Sequence, residues 1–302
     1  MPAVVDTGMT RLLVGTDDGL FDLDRDRLLD GRVNALSRDG WTVIDAKTVL
    51  RETAPGTWSD AAALAGGNRT DHRPVLARGD QVLVGNGDGL LRVDKGDAEP
   101  VAAFQSVAGR DEWHAVGSAQ PYVRSLTATV DGAVLANVHV GGIPRSTDEG
   151  ASWQPTIDVD ADVHQVRAHP HRSGLAFFAA AVGFGISRDD GATWSIHTDG
   201  LHATYCRAVT ATGDAVLVSA STGPFTDRAA VYRRAIDDDD APFEQVSEWL
   251  AHNIDTECLA ADGDDVAFGG PDGRLHRSAD GGRTWAVSDG FPPITALAYA
   301  RA

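Results

Sequence analysis

An eight-residue phrase occurs three times in the second half of this chain. It reads STDEGASW from Ser146 to Trp153, SRDDGATW from Ser187 to Trp194 and SADGGRTW from Ser278 to Trp285. The shared pattern, Ser-x-Asp-x-Gly-x-Thr/Ser-Trp, predicts a tight turn in which the Asp side chain accepts hydrogen bonds and Gly supplies a positive φ. The Trp then begins the next strand and buries its ring between neighbouring sheets. Each copy is therefore predicted to close a β-hairpin.

The spacing of the phrase predicts a structural period. The first two copies are 41 residues apart and the second and third are 91 apart, about two periods. A decayed copy is expected between them, and AIDDDDAPF from Ala235 to Phe243 fits, with Phe in the place of Trp. The tripeptide GTW from Gly56 to Trp58 resembles a remnant of the same phrase.

A second repeat runs through the whole chain as seven short apolar strands. They are LLVG at Leu12, WTVI at Trp41, VLVG at Val82, VLAN at Val134, AFFA at Ala176, VLVS at Val216 and VAFG at Val266. Units of roughly 43 residues match the four-stranded blade of a β-propeller. We therefore predict an all-β, seven-bladed β-propeller that forms a single domain over residues 1–302. Six blades are the alternative, if the short second unit merges with a neighbour.

The two ends of the chain predict how the ring closes. The chain finishes with ITALAYA, an innermost-strand pattern without partner strands, and begins with RLLVGTDDGLFDLD, which lacks an innermost strand. Pairing the C-terminal strand with the N-terminal strands completes one blade and removes a free sheet edge.

The three phrases resemble Asp boxes, also called BNR repeats. These occur in sialidases, sortilin-type propellers, other glycosidase-like propellers and a plant photosystem assembly factor. The resemblance covers the second half of the chain and implies that the phrases lie on the face away from a ligand site. It also implies that Asp148, Asp189 and Asp280 hold turns together and are not catalytic.

One register of the innermost strands carries a polar residue in every blade. Two positions before the first aligned aliphatic residue stand Asn34, Arg73, Arg124, His164, Arg207, Glu257 and Thr295. We expect these side chains to surround one mouth of the axial channel. The loop NVHVGG adds His139 to the same mouth.

Two readings of this ring remain open. Arg73, Arg124 and Arg207 are expected to bind a carboxylate, phosphate or sulfate through paired hydrogen bonds, with His164 and Glu257 carrying protons. In the alternative, each arginine belongs to an ion-pair belt between blades, with partners such as Asp71, Asp162 and Asp255.

The resemblance to sialidases implies a catalytic variant of the first reading. Those enzymes grip a carboxylate with three arginines and use a Tyr nucleophile paired with a Glu, so Tyr205, Glu257 and His164 are the catalytic candidates. However, the sialidase Arg-Ile-Pro signature is missing near the N-terminus, and no Asp is clearly placed as the acid. We therefore favour a non-catalytic binding or assembly scaffold, with a sialidase-related hydrolase or lyase acting on an acidic sugar as the alternative; whether the protein is an enzyme stays open.

The amino-acid composition limits the classes of partner that the protein is expected to bind. Asp and Glu number 44 against 26 Lys and Arg, the formal charge is −18, and Lys47 and Lys95 are the only lysines. Such a surface stays hydrated in strong salt and repels nucleic acid and anionic lipid, which indicates a halophilic source. The expected partner is an anionic small molecule, an acidic sugar or a protein.

The remaining expectations concern location and chemistry. No stretch reaches the ~18 apolar residues of a membrane helix, so a cytoplasmic monomer is expected. Cys206 and Cys258 are predicted to be buried free thiols. Neither HPH at His169 nor DVDADVH at Asp158 has the ligand pattern of a familiar metal site, so no metal and no cofactor are predicted.

Overall fold

The computed structural model describes residues 10–78, 81–114 and 120–301. The strands of the first four sequence units are β1 (Thr10–Thr16), β2 (Gly19–Phe21), β3 (Arg27–Asp30), β4 (Val33–Leu36), β5 (Trp41–Ile44), β6 (Thr48–Ala54), β7 (Thr57–Ala63), β8 (Val75–Arg78), β9 (Gln81–Asn86), β10 (Gly89–Asp94), β11 (Asp97–Pro100), β12 (Val123–Ala128), β13 (Val134–Val138), β14 (Pro144–Ser146) and β15 (Gln154–Pro155). The remaining strands are β16 (Val163–Ala168), β17 (Ala176–Ala180), β18 (Gly183–Ser187), β19 (Ser195–His197), β20 (Tyr205–Ala211), β21 (Ala215–Ser221), β22 (Ala229–Ala235), β23 (Glu244–Gln245), β24 (Leu259–Asp262), β25 (Asp265–Gly269), β26 (Leu275–Ser278), β27 (Ala286–Ser288) and β28 (Ile294–Arg301). Three short 3-10 helices cover Ala102–Ser106, Arg110–Glu112 and Val159–Ala161.

These strands form seven four-stranded antiparallel sheets arranged in a ring, which confirms the seven-bladed propeller and excludes six blades. Six sheets take four consecutive strands each, and the seventh has the order β28-β1-β2-β3. The innermost strands are β4, β8, β12, β16, β20, β24 and β28. In the described part of the chain, no helix is long and apolar enough to cross a membrane.

Ring closure is made by the C-terminal strand, as the sequence predicts. β28 pairs antiparallel with β1, with Leu12 opposite Tyr299 and Val14 opposite Leu297. Because β1 would otherwise present an unpaired edge, β28 joins the two chain ends into one continuous sheet.

The second strand of each blade is largely buried. All residues of β17 and β21 are buried, since each sheet has a neighbour on both of its faces. This explains why the second strands read as apolar runs and not as alternating patterns. Cys206 and Cys258 are buried free thiols, as predicted.

The repeated phrases form the turns between the third and fourth strands. In the first copy, Ser146 Oγ donates to Asp148 Oδ1 at 2.8 Å, and Asp148 Oδ1 accepts the backbone N–H of Ser152 at 2.9 Å. Gly150 has φ 87° and its N–H donates to Ser146 Oγ at 2.9 Å. The second and third copies repeat these bonds at equivalent residues. The Asp of the phrase therefore organises a turn.

The tryptophans of the phrase connect neighbouring blades. Trp153 is 3% exposed, and its ring lies 5.0 Å from that of Phe104. Trp194 and Trp285 are half-buried, and their indole N–H groups donate to Thr156 Oγ1 at 3.1 Å and to the Val246 carbonyl at 2.8 Å, both in the preceding blade. In the decayed copy, Phe243 takes this place and is also 3% exposed.

Candidate functional site

A cavity of about 500 Å³ opens where the innermost strands begin. Successive strands of a blade run in opposite directions, so this mouth lies at the end of the ring away from the repeated turns. Of the seven residues that share the predicted register, five line this cavity: Asn34, Arg124, Arg207, Glu257 and Thr295. We call this space the mouth cavity.

An ion pair crosses the channel at the base of the mouth cavity. Arg124 is 4% exposed, and its Nη2 donates to Asp255 Oδ1 at 2.7 Å. The two residues belong to β12 and to the segment before β24, whose blades lie three positions apart in the ring of seven. The pair therefore spans the lumen, unlike a belt between adjacent blades.

Asp255 also faces a second arginine. Arg207 Nη1 lies 3.4 Å from Asp255 Oδ2, and the backbone N–H of Thr256 donates to Asp255 Oδ1 at 2.8 Å. Burial alone would raise the pKa of this carboxyl, but the charges of Arg124 and Arg207 outweigh burial and hold the pKa well below its usual range. Asp255 is therefore ionised throughout the neutral range.

Thr256 ties the same segment to the opposite wall. Its Oγ1 accepts from Arg124 Nε at 2.8 Å and donates to the His164 carbonyl at 3.0 Å. The next residue, Glu257, has φ 67°, a left-handed conformation that is unusual for a residue with a β-carbon. This bend turns the chain into the channel before β24 begins.

Glu257 lies deeper than the other mouth residues. It lines both the mouth cavity and a second cavity of about 330 Å³ that opens at the other end of the channel. Its Oε2 accepts from Arg167 Nη2 at 2.8 Å. Among the described residues, no side-chain hydrogen bond joins Glu257 to Tyr205, so the two catalytic candidates are not paired.

Two of the predicted ring residues serve the scaffold. Arg73 does not line the mouth cavity: it is 2% exposed, bonds to the Asn86 side chain, and donates from Nη2 to the Gly66 carbonyl at 3.2 Å. Burial lowers its pKa. Asn34 donates from Nδ2 to the Arg69 carbonyl at 2.8 Å and the Asp71 carbonyl at 2.9 Å, so it holds a loop at the rim.

Imidazole and phenol rings form an arc beside the mouth cavity. Successive ring centroids are 5.0 Å apart for His72 and Tyr122, 5.0 Å for Tyr122 and His139, 5.9 Å for His139 and His164, and 4.7 Å for His164 and Tyr205. Asp162 faces both His139 and His164, at 3.4 and 3.5 Å from their Nε2 atoms.

The sequence reading did not assign Asp162 or Asp255 to the site except as belt partners. Each stands two residues before a ring position, Asp162 before His164 and Asp255 before Glu257. Residues two apart in a strand share a face. However, Asp162 precedes β16 and Asp255 precedes β24, so the alternation of a strand does not apply to them and the sequence carries no clear signal for either carboxylate.

Comparisons with known proteins identify the architecture. No protein-family model and no curated protein matches the chain. Among solved structures, a putative 6-phosphogluconolactonase from Bacteroides fragilis superposes with a TM-score of 0.63 at 13% identity, covering 98% of this chain and 99% of that one. A GH74 enzyme from Niastella koreensis gives 0.58 at 13% identity, with 91% of this chain covering 46% of that one.

A third solved structure is a binding protein. YCF48 bound to D1 peptide superposes with a TM-score of 0.55 at 16% identity, covering 95% of this chain and 87% of that one. This protein therefore shares the β-propeller fold with proteins of different roles, some of which are enzymes. At these identities the likeness concerns the fold alone.

Arg124→Ala tests the cross-channel pair. Removing the guanidinium leaves Asp255 with the longer Arg207 contact and the Thr256 N–H, and leaves Thr256 Oγ1 without the donor that Arg124 supplies. Unsatisfied groups of this kind cost about 1–3 kcal/mol, and partial exposure of Asp255 places the expected loss of unfolding free energy at the lower end. Denaturant titration measures it. Asp255→Asn in the Arg124→Ala background should recover part of the loss, and full additivity of the two changes would contradict the pair.

Proposed function

We propose that this protein is a non-catalytic binding propeller that takes the acidic group of a ligand at the mouth cavity. The observation that carries the proposal is the environment of Arg207. Within the described residues its guanidinium, which lines the cavity, makes long contacts only, 3.4 Å to Asp255 and 3.5 Å to the Pro224 carbonyl. A ligand carboxylate or phosphate would offer this fork the short paired bonds that the protein itself does not supply.

The other charges of the cavity support Arg207 as the anchor. Arg32 is paired with Asp17, and Arg124 with Asp255. Glu257 is engaged by Arg167 on the inner side of the channel. Arg207 shares a carboxylate that is already bonded to another arginine, so its positive charge is the least compensated at the mouth.

An apolar contact lies beside this arginine. Phe225 lines the cavity and its side chain is fully exposed. Its loop is fixed from below, because Asn253 Nδ2 donates to the carbonyls of Gly223 and Pro224 at 3.1 Å each. An exposed aromatic ring next to a cationic fork suits a ligand that carries an acid group and an apolar or sugar face.

The same contacts argue against hydrolysis at this site. Most glycosidases use two carboxyl groups, one on each side of the scissile bond, while sialidases use a Tyr nucleophile paired with a Glu. Here Asp255 is held by two arginines with a depressed pKa, and Glu257 is bonded to Arg167. Tyr205 packs against His164, and in the described part of the chain its hydroxyl has no hydrogen bond to a carboxylate. These features favour binding over the hydrolase or lyase alternative.

The proposal extends to the setting of the protein. A formal charge of −18 disfavours nucleic acid and anionic membrane as partners, and the ligand is then a small acidic molecule, an acidic sugar or an acidic segment of a protein. In this proposal the protein works as a monomer in the cytoplasm of a halophilic cell, where salt screens the distant surface acids more than a direct contact.

A carboxylate screen tests the proposal. Aromatic carboxylates and sugar acids are added in high salt while the melting temperature is followed. A ligand at 100 times its Kd should stabilise the wild type by about 2.7 kcal/mol. Arg207→Gln should weaken its binding by about 10- to 100-fold, the loss of a charged pair of hydrogen bonds.

Arg188→Gln is the matched control. Arg188 pairs with Asp239 at 2.7 Å at the repeated-turn end of the ring, so its loss should leave ligand affinity unchanged. Equal affinity of the wild type and Arg207→Gln for every stabilising acid would overturn the proposal, as would a screen in which no acid stabilises the wild type.

A further inference from the structure

Three potential metal ligands meet on the wall of the channel mouth. His139 follows β13 in one blade, and Asp162 and His164 lie at the start of β16 in the next. Asp162 Oδ1 lies 3.4 Å from His139 Nε2, and Asp162 Oδ2 lies 3.5 Å from His164 Nε2. One ligand atom from each residue falls within 4.8 Å of the other two.

His164 directs a bare nitrogen into this cluster. The residue is 0% exposed, and its Nδ1 lies 2.6 Å from the Cys206 carbonyl. A carbonyl oxygen only accepts, so Nδ1 carries the proton and Nε2 of the neutral ring presents a lone pair. Among the described residues, Nε2 has no hydrogen-bond partner. A carbonyl behind a ligating histidine is the usual support that fixes its tautomer at metal centres.

Without a cation, this arrangement places electron pairs against each other. The Asp162 carboxylate lies between the two rings, with its oxygens 3.4 and 3.5 Å from the Nε2 atoms of His139 and His164. Asp162 Oδ1 is likewise buried without a hydrogen-bond donor within the described residues. Orphaned acceptors in a buried cluster are costly unless an ion satisfies them.

We propose that His139, Asp162 and His164 bind a divalent transition-metal ion of the zinc type. Donors that surround a tetrahedral ion at about 2.0–2.1 Å stand roughly 3.4 Å from one another. Each imidazole Nε2 lies close to that distance from one of the two Asp162 oxygens, and one ligand atom from each of the three residues lies within 4.8 Å of the others. Two imidazoles and one carboxylate suit zinc and its first-row neighbours, while calcium and magnesium prefer all-oxygen sites.

The charges around the cluster are compatible with a bound divalent cation. Arg124 lies near the cluster, but Asp255 offsets its charge through the 2.7 Å bond. Asp162 supplies one negative charge for the metal. The side chains of His139 and Asp162 remain 14% and 22% exposed, so the cluster can be reached from solvent and a bound ion could keep one position for a water molecule or another exchangeable ligand. Three protein ligands and one open position characterise zinc sites that hold an exchangeable ligand.

The sequence predicts no metal site, in contrast to this cluster. The ligands are separated into a blade loop and the next blade's innermost strand, with only Asp162 and His164 close together in sequence. No short spacing motif therefore marks them.

The test is metal binding by the full chain after dialysis against a chelator. Zn²⁺ is titrated by calorimetry at neutral pH, and Co²⁺ is added separately for its visible absorption, which reports nitrogen ligands and low coordination number. One Zn²⁺ per chain should bind at neutral pH. At low pH the imidazoles are protonated, so binding there should release protons. An excess of Mg²⁺ should not displace it, which separates this site from binding to the acidic surface.

Asp162→Asn and His139→Gln identify the ligands. Asp162 has φ 48°, which Asn tolerates, so the first change preserves the turn. Each variant should bind Zn²⁺ at least about 100-fold more weakly than wild type, beyond the effect of a supporting residue. His171→Gln, at an exposed histidine at the other end of the channel, should bind as wild type does.

The metal titrations of the wild type and the variants show whether the chain has this metal site. Failure of the wild type to bind Zn²⁺ or Co²⁺ at a single site would overturn the proposal, as would unchanged affinity in both variants. The Arg207→Gln protein should keep wild-type Zn²⁺ affinity. Metal binding and acid-ligand binding are thus lost by different substitutions, so each proposal can fail alone.

Discussion

A chain that ends at Phe291 should lose its cooperative unfolding transition and aggregate. The truncation removes β28, which contributes the buried residues Ile294, Ala296, Leu297 and Ala300 to the contacts of β1 and β4. It also leaves β1 as an unpaired edge on the axial channel, and exposed edges pair with other chains. Size-exclusion chromatography and thermal scanning calorimetry measure both effects.

Moving the strand provides the control. Arg301 stands opposite Thr10 in the antiparallel pair, so residues 292–301 can be placed ahead of Thr10 through a short hairpin linker. This rearranged chain should be monomeric and should melt within a few degrees of the wild type, because the sheet β28-β1-β2-β3 is complete. If the truncated chain without β28 melts like the wild type, closure by this strand does not stabilise the ring.

The blades could be predicted because burial on both faces leaves a record in the sequence. β17 and β21 are buried throughout and read as uninterrupted apolar runs. The outermost strands leave no such record. β15 and β23 have two exposed residues each, and their positions follow only from the turns that precede them.

The mouth of the channel was predictable by register, but the directions of its side chains were not. Arg73 occupies the expected position, yet a glycine loop folds over it: a β-carbon at Gly67 would collide with Arg73 Nη2. The guanidinium is therefore enclosed in its own blade and not turned to the lumen. The register of an innermost strand determines where a side chain is attached, while the surrounding loops determine the direction in which it points.

The cross-channel contact had no sequence signal. Arg124 and Asp255 are separated by 131 residues and by three blades, and they meet because the segment before β24 bends into the lumen. That bend depends on the left-handed conformation of Glu257, which is not glycine. Asp255 was thus expected only as a belt partner of a neighbouring arginine.

Trp153→Ala should lower the free energy of unfolding by about 3–5 kcal/mol, the cost of removing a large aromatic side chain from a core. The indole is 3% exposed and packs edge-on against Phe104 at 5.0 Å, in the same cluster as Trp113 and Val134. Its Nε1 also donates to the Gly150 carbonyl at 3.2 Å within the turn. The substitution therefore leaves a cavity between two blades and loosens the turn that precedes β15.

Trp249→Ala is the matched control for this change. Trp249 is 44% exposed and packs beneath Arg228, whose guanidinium carbon lies 4.1 Å from the ring centroid. Its loss removes an exposed contact and creates no interior cavity, so the expected cost is under about 1 kcal/mol. Guanidinium denaturation of both variants in high salt measures the difference. Equal losses for the two tryptophans would mean that the repeated turn does not fasten its blade to the neighbouring one.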